Sequence, residues 1–109
     1  MKIIKEKVKN TEIKELASGL FGEMIKFVVD IQKETIAFDA EMHADLEQLL
    51  LEKGSKQENL WGGNYFPKDK KIEFTSLINI RPRQNNKSME IKDIKVKERI
   101  ENIFEKLII

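Results

Sequence analysis

The sequence predicts an α+β fold: a four-stranded, mainly antiparallel sheet with helices packed on one face. Two kinds of periodicity support this prediction. Apolar residues alternate with polar ones in several central segments, which is typical of half-buried strands. In the C-terminal segment apolar residues recur every three or four positions, which is typical of an amphipathic helix. The C-terminal helix is therefore predicted to be the main cover of the sheet.

Length and composition narrow the class of protein. The 109 residues are predicted to form a single domain, 1–109, which is long enough to bury a conventional core. The chain has no cysteine and no apolar run near the ~20 residues that span a bilayer. We therefore expect a cytoplasmic protein with no membrane partner. The 20 basic and 19 acidic residues leave a net charge of +1, which provides no general attraction for nucleic acid.

The N-terminal segment is predicted to contain a short edge strand and then a helix. Residues 2–9 place isolated apolar residues among lysines, which suits an edge strand. Thr11 is the expected N-cap of the helix, and Gly22 is expected to end it. The helix has one apolar stripe, formed by Ile13, Leu16, Ala17 and Leu20.

Residues 24–42 are predicted to form a β-hairpin. Apolar alternation runs up to a polar segment and resumes after it. A four-residue loop would pair Ile31 with Ile36, and the same register places Lys26 opposite Glu41. This charge pairing supports the predicted register.

Residues 45–53 are compatible with two structures. In a helix, Asp45 is the N-cap, Gln48 completes a capping box and Gly54 ends the helix. In a strand, the segment continues the alternation of the hairpin and Gly54 lies in a turn. We predict the helix, because Leu, Glu and Gln favour helices and the segment contains no β-branched residue.

Residues 59–66 are predicted to be the third strand. They join the fourth strand through a turn, and we expect Phe66 to lie opposite Ile72. This register places Trp61 and Tyr65 on the outer face of the sheet.

The fourth strand is predicted to run from Lys71 to Arg81. Pro82 ends it, because proline has no main-chain N–H to donate to a neighbouring strand. The outer face carries Glu73, Thr75, Leu77, Asn79 and Arg81. The inner face carries Ile72, Phe74, Ser76, Ile78 and Ile80.

The C-terminal helix follows Asp93, its expected N-cap. Its apolar stripe is formed by Val96, Ile100, Ile103, Phe104 and Leu107.

The first candidate binding site is the polar segment 79–88. Arg81 and Arg83 are suited to grip a carboxylate or phosphate. Further donors come from Asn79, Asn85, Asn86, Lys87 and Ser88. The alternative is a solvated turn in which Arg81 pairs with Glu73 or Glu41.

The second candidate contains His43, the only histidine, with Asp45 and Glu47 nearby in sequence. Such a group can supply a general base or bind a hard metal ion. The spacing matches no recognised metal motif, and Asp45 is more simply explained as a helix cap. We predict no metal and no cofactor.

Trp61 and Tyr65 form the third candidate, because aromatic side chains on an open sheet can stack on a base. The alternatives are core packing and a dimer surface. The chain lacks an RNP-type motif and a strong positive charge, so nucleic acid is not the predicted partner.

Three motifs, HADLE, GSKQENLWG and FTSLINIRPRQNNKS, resemble an uncharacterised family of short bacterial proteins that carries a domain-of-unknown-function label. The resemblance covers nearly the whole chain and implies a shared fold but no activity. It leads us to expect Gly near Asn85 and Arg at Lys87, where this chain differs. The positions that match the family motifs are His43, Asp45, Ser55, Gln57, Trp61, Asn79, Arg81 and Pro82.

We therefore expect a small cytoplasmic binding or interaction protein that forms a homodimer and can take a small anionic ligand. One alternative is an enzyme with His43 as base and Arg81 as anion clamp. A further alternative is binding of single-stranded nucleic acid by Trp61, Tyr65 and the basic loop. The predicted ligand-binding residues are His43, Asp45, Trp61, Asn79, Arg81, Arg83, Asn86, Lys87 and Ser88.

Overall fold

The computed structural model describes residues 1–20 and 23–109, and the side chains at positions 19 and 20 lie outside the description. The described residues contain a five-stranded antiparallel sheet and three α-helices. This confirms the α+β prediction but corrects the number of strands from four to five. The strands are β1 (Lys2–Ile4), β2 (Ile25–Asp30), β3 (Thr35–Phe38), β4 (Leu60–Phe66) and β5 (Lys71–Glu73), in the order β1-β3-β2-β4-β5. The helices are α1 (Asn10–Leu20), α2 (His43–Glu52) and α3 (Ile94–Leu107).

Helices cover both faces of the sheet, which corrects the prediction of one covered face. Phe27 and Val29 of β2 belong to an apolar cluster that includes residues of α1 and α3. Val28, between them, belongs to a second cluster with Leu46 and Leu50 of α2. Successive residues of a strand point to opposite faces, so α2 packs on the face opposite α1 and α3. The consecutive apolar residues of β2 are typical of a strand buried on both faces. No helix in the described residues is long and apolar enough to cross a membrane.

The predicted hairpin is formed by β2 and β3, but its register differs by two residues. Asp30 pairs with the first residue of β3, whereas the prediction paired Ile31 with Ile36. The Asp30 carboxylate accepts hydrogen bonds from the N–H groups two and three residues later, both at 2.9 Å. The turn therefore begins directly after Asp30. The β2–β3 ladder starts at Phe27 and does not include Lys26, which lies opposite Asn64 of β4 on the other side of β2.

The two shorter helices begin earlier than predicted. Helix α1 starts one residue before Thr11, and its predicted end at Gly22 lies outside the described residues. The 45–53 segment is helical, as predicted. Helix α2 begins two residues before Asp45, however, so this exposed residue is not the N-cap. Gly54 follows the helix with a φ of +97°, a left-handed conformation that favours glycine.

Helix α3 agrees with the prediction. The Asp93 side chain accepts a hydrogen bond from the N–H of Lys95 at 2.8 Å and caps the helix. On its polar side, Arg99 and Lys106 contact the Glu34 carboxylate at 3.1 and 2.7 Å. These contacts lower the pKa of Glu34, chiefly through the hydrogen bond from Lys106. The apolar stripe packs on the sheet through Val96, Ile100, Ile103, Phe104 and Leu107.

Strand β4 pairs with β5 one residue away from the predicted register, with Tyr65 opposite Ile72. Trp61 and Tyr65 therefore point towards α3 and join the larger apolar cluster. They are only 4% and 3% exposed, which corrects their predicted place on an outer face. Core packing is the alternative that the structure supports for both rings.

The predicted fourth strand ends after three residues. Short 3-10 turns follow at Leu77–Asn79 and Pro82–Gln84. The first begins where the Ser76 hydroxyl accepts a hydrogen bond from the N–H of Ile78, at 3.3 Å. The turn reverses the predicted exposure of three residues: Asn79 and Arg81 are buried, and Ile80 is exposed. Leu77 is exposed, in agreement with its predicted place on the outer face.

Candidate functional site

Asn79 takes the place of a neighbouring strand beside β4. Its side-chain oxygen accepts a hydrogen bond from the N–H of Gly62 at 2.8 Å, and its amide nitrogen donates to the carbonyl of Gly62 at 2.9 Å. The same nitrogen donates to the Met89 carbonyl at 3.1 Å. A Cβ atom on Gly62 would lie 2.9 Å from the Cβ of Ser76, so this close approach requires glycine.

The Arg81 guanidinium is directed into the protein. Its Nε donates to the carbonyl of Ile78 at 3.0 Å, and its Nη1 donates to the carbonyl of Gln57 at 2.7 Å. Nη1 also donates to the side chain of Gln84 at 3.1 Å, and Nη2 donates to the carbonyl of Leu60. Arg81 therefore links its own loop to Leu60, the first residue of β4, and to Gln57 in the short turn that precedes β4.

Arg81 also lies over the indole of Trp61, with the guanidinium carbon 4.3 Å from the ring centroid. This is cation–π geometry between two buried side chains. Burial lowers the pKa of Arg81, and the nearby Glu47 carboxylate acts in the opposite direction. The side chain remains charged at neutral pH, because the pKa of an arginine starts far above it.

The Asn86 side chain holds the rest of the loop together. Its amide nitrogen donates to the carbonyls of Asn79, Ser88 and Glu90 at 2.8 to 3.1 Å. Its oxygen accepts a hydrogen bond from the N–H of Lys92 at 2.9 Å. Three of the predicted ligand-binding residues, at positions 79, 81 and 86, thus bind the chain itself.

The other basic and polar residues of the predicted loop site lie at its surface. Arg83 and Lys87 are exposed. The Ser88 hydroxyl accepts a hydrogen bond from the N–H of Glu90 at 2.9 Å.

His43 belongs to a different part of the molecule, on α2. Its Nε2 lies 2.7 Å from the carbonyl of Gly63, so this nitrogen carries a proton and donates it. Burial is the main cause of the lowered pKa of His43, and Lys26 acts in the same direction. Neither His43 nor Arg81 lines any of the five principal clefts of the described residues. Across those residues no three or more His, Asp or Glu side chains are grouped to hold a metal ion. Asp45, also on α2, lines a shallow groove.

The structure brings Trp61 and two candidate donors of the loop, Asn85 and Asn86, to one cleft of ≈ 440 Å³. We call it the Trp61 cleft. It lies between residues 84–86 of the polar segment, the β2–β3 turn and the start of α3. Its lining residues are Ile31, Glu58, Trp61, Gln84, Asn85, Asn86, Lys92, Asp93 and Val96.

The indole N–H of Trp61 is buried and has no acceptor among the described residues. A buried donor without a partner costs about 1–3 kcal/mol, so most such groups find one. The amides of Gln84 and Asn86 are already occupied, since Gln84 donates to the carbonyl of Glu58 at 3.0 Å and Asn86 binds its own loop. The indole N–H is thus a buried donor without a partner, and it belongs to a residue that lines the cleft.

Charged side chains of both signs stand around the Trp61 cleft. Glu58 and Asp93 contribute carboxylates, and Lys92 contributes an ammonium group that lies 3.5 Å from Glu90. Sequence reasoning missed Glu58 and Asp93 as site residues. It explained Asp93 as a helix cap, and no sequence signal places position 58 beside the ring at position 61.

The comparison with protein families is consistent with the resemblance seen in the sequence. The model of a family described as "Protein of unknown function (DUF5674)" matches residues 2–107. The chain therefore belongs to this family. No curated protein and no solved structure matches the chain.

Proposed function

We propose that this is a small cytoplasmic binding protein that takes a small polar molecule into the Trp61 cleft. The unpaired indole N–H of Trp61 is the observation that carries the proposal. A ligand oxygen that accepts this hydrogen bond would remove the cost of the buried donor. The stack of Arg81 on the ring helps to hold the donor in place before a ligand arrives. The cytoplasmic location rests on composition, because a chain without cysteine needs no oxidising compartment.

The charges of the cleft favour a ligand that carries both signs over the small anion expected from the sequence. The carboxylates of Glu58 and Asp93 would repel an anion but attract an amino group. The indole N–H and Lys92 would bind a carboxylate or carbonyl oxygen. A free amino acid combines these two groups in one small molecule.

A binding role is also favoured over the alternative enzyme. That enzyme requires His43 as a base and Arg81 as an anion clamp. Nε2 of His43 is hydrogen-bonded to a main-chain oxygen, and the Arg81 guanidinium is bonded to three. An anion clamp would have to break these bonds first.

The proposal can be tested with the one indole resonance that a protein with a single tryptophan shows in a ¹H–¹⁵N NMR spectrum. The probes are the twenty free amino acids, inorganic phosphate and uridine. We expect at least one amino acid to shift the Trp61 indole resonance with saturation, and phosphate to leave it unchanged. An unchanged resonance at about 10 mM of every probe, a concentration that detects even millimolar affinity, would refute the proposal.

Two variants test the assigned roles. Trp61→Phe keeps a ring for Arg81 but removes the donor, so we expect the affinity for the amino acid to fall about tenfold. Because this variant has no indole resonance, its affinity is measured from the shifts of backbone amides. Glu58→Gln removes an exposed negative charge and should weaken the amino acid without affecting the fold. Full affinity in both variants would place the ligand elsewhere.

A second proposal is that the protein forms a homodimer. Leu77 and Ile80 are three residues apart at a 3-10 turn, so their side chains lie on the same side. They are 70% and 43% exposed. A second copy related by a two-fold axis would cover this patch with its own.

Light scattering tests the dimer. We expect a mass near twice 12.8 kDa, and Leu77→Asp should return it to that of one chain. Ile94→Asp is the matched control, because Ile94 is 68% exposed but lies on α3. A monomer at every concentration would exclude the dimer.

A further inference from the structure

The outer side of β5 offers main-chain groups for another strand. β5 pairs with β4 and lies at the edge of the sheet. Just beyond it, the carbonyl of Phe74 accepts a hydrogen bond from the N–H of Ile91 at 3.0 Å, on the side away from β4. In an antiparallel strand every second residue directs its N–H and C=O to the same side. Ile72 therefore directs both groups outward, where no described residue pairs with them.

A cleft of ≈ 360 Å³ lies beside this edge, between β5 and the second half of α3. We call it the β5 cleft. Its rim carries Lys70 on one side and Glu101 and Glu105 on the other. Its apolar lining is formed by Tyr65, Ile72, Phe74, Phe104 and Ile108.

The β5 cleft is in the position that the side chain of a sixth strand would fill. Ile72 lies directly opposite Tyr65, so both point to the sheet face that α3 covers. A strand added outside β5 would point every second side chain to this same face, above the cleft. The apolar face of the sheet thus extends as far as β5, and the cleft marks its open end.

The side of the rim that α3 forms adds a preference for positive charge. Glu101 and Glu105 are one helical turn apart on α3, where like charges repel. Neither carboxylate forms an ion pair within the described residues. A basic side chain between them would relieve this repulsion.

We propose that the β5 edge binds an extended peptide segment of a partner protein. The segment adds as a sixth strand, places an apolar side chain in the β5 cleft and sets a basic side chain beside Glu101 and Glu105. Main-chain hydrogen bonds to Ile72 supply affinity, and the cleft and its acidic rim supply selectivity. This surface is separate from the Trp61 cleft, so the two proposals stand or fall independently.

The test uses a synthetic peptide, acetyl-TKTFTKT-amide, whose phenylalanine and two lysines share one face of an extended chain. Titration into the ¹⁵N-labelled protein should shift the amide resonances of Ile72 and Phe104. Hydrogen exchange at the Ile72 amide should slow at least about tenfold at saturation, because the new strand protects it. The Trp61 indole resonance should stay unchanged.

Charge reversal provides the control. The peptide acetyl-TETFTET-amide should bind at least about tenfold more weakly, since its carboxylates face the acidic rim. In the double variant Glu101→Lys, Glu105→Lys this preference should reverse, and both positions are exposed, so the fold should persist.

Three results would overturn the proposal. The first is no change at Ile72 with about 5 mM peptide, which would exclude even weak addition to the edge. The second is equal binding of the two peptides. The third is protection of the Ile72 amide without peptide that grows with protein concentration, which would assign the edge to a second copy of this chain.

Discussion

Two regions of the molecule bury side chains against strand β4 by different means. Helix α3 covers one side with an apolar stripe that includes Ile100 and Phe104. The polar turn, residues 76–92, covers another with the buried polar side chains of Ser76, Asn79, Arg81 and Asn86. The stripe is held by contacts without strict direction, whereas the polar turn is held by hydrogen bonds to main-chain oxygens and N–H groups.

This difference determines what each region tolerates. An apolar stripe accepts residues of similar shape at little cost, because burial depends mainly on area and volume. A hydrogen-bonded turn accepts few replacements, because each lost donor leaves a buried acceptor unpaired. We therefore expect single substitutions in the polar turn to cost more than conservative ones in α3.

The largest effect is expected for Arg81→Ala. It leaves the carbonyls of Gln57, Leu60 and Ile78 without their donor and removes the stack on Trp61. We expect the free energy of unfolding to fall by about 4 kcal/mol in urea denaturation. Arg83→Ala is the control, because that exposed neighbour should cost less than about 0.5 kcal/mol. Similar costs for both would show that Arg81 is not a structural clamp.

Asn79→Asp should have the next largest effect. The new carboxylate keeps the acceptor for the N–H of Gly62 but faces the carbonyls of Gly62 and Met89 with an oxygen instead of a donor. We expect a loss of about 3 kcal/mol at pH 7, and a smaller loss in acid once the aspartate is protonated. Asn85→Asp is the matched control, because Asn85 is exposed and Asp tolerates its left-handed φ of 61°. Equal losses in the two variants would contradict the assignment of the Asn79 hydrogen bonds.

A smaller effect is expected in the apolar region. Ile100 is fully buried, and Ile100→Val removes one methylene group without a polar partner. We expect a loss of about 1 kcal/mol, measured by the same denaturation. A cost as large as that of Arg81→Ala would remove the distinction between the two regions.

The same contrast explains which parts of the fold could be predicted. The α3 stripe follows helical spacing and its cap is a simple Asp, so periodicity was sufficient. The alternation of β2 and β3 showed a hairpin but not its register. That register depends on the Asp30 carboxylate, which starts the turn two residues earlier than the apolar pattern indicates.

Hydropathy could not predict the polar turn. Strand alternation placed Asn79 and Arg81 on an exposed face, and nothing in their identity shows that Gly62 and Leu60 offer them buried partners. A register error of one residue between β4 and β5 moved Trp61 to an outer face, although it lines the cleft we propose as the binding site. Pairings between distant segments of the chain require the three-dimensional structure.

His43 combines apolar packing with a hydrogen bond to the main chain. It lies one turn before buried Leu46 on α2, yet it donates a hydrogen bond to Gly63. Its folded pKa is lowered from 6.5 by burial, so the unfolded chain binds more protons just below that pH. This contribution to stability is complete above pH 6.5 and is lost as the pH falls through the folded pKa.

We therefore expect the free energy of unfolding to be smaller at pH 5.5 than at pH 7.5, because of His43. His43→Gln keeps a donor for the Gly63 carbonyl but does not titrate, so its stability should change little over this range. Glu34 and Glu90 do not interfere, because their pKa values are lowered from 4.5 and they titrate below the window. His43 is the only histidine in the chain. If the free energy of unfolding changed with pH as much in His43→Gln as in the wild type, the hydrogen-bonded His43 on α2 would not be the source of that pH dependence.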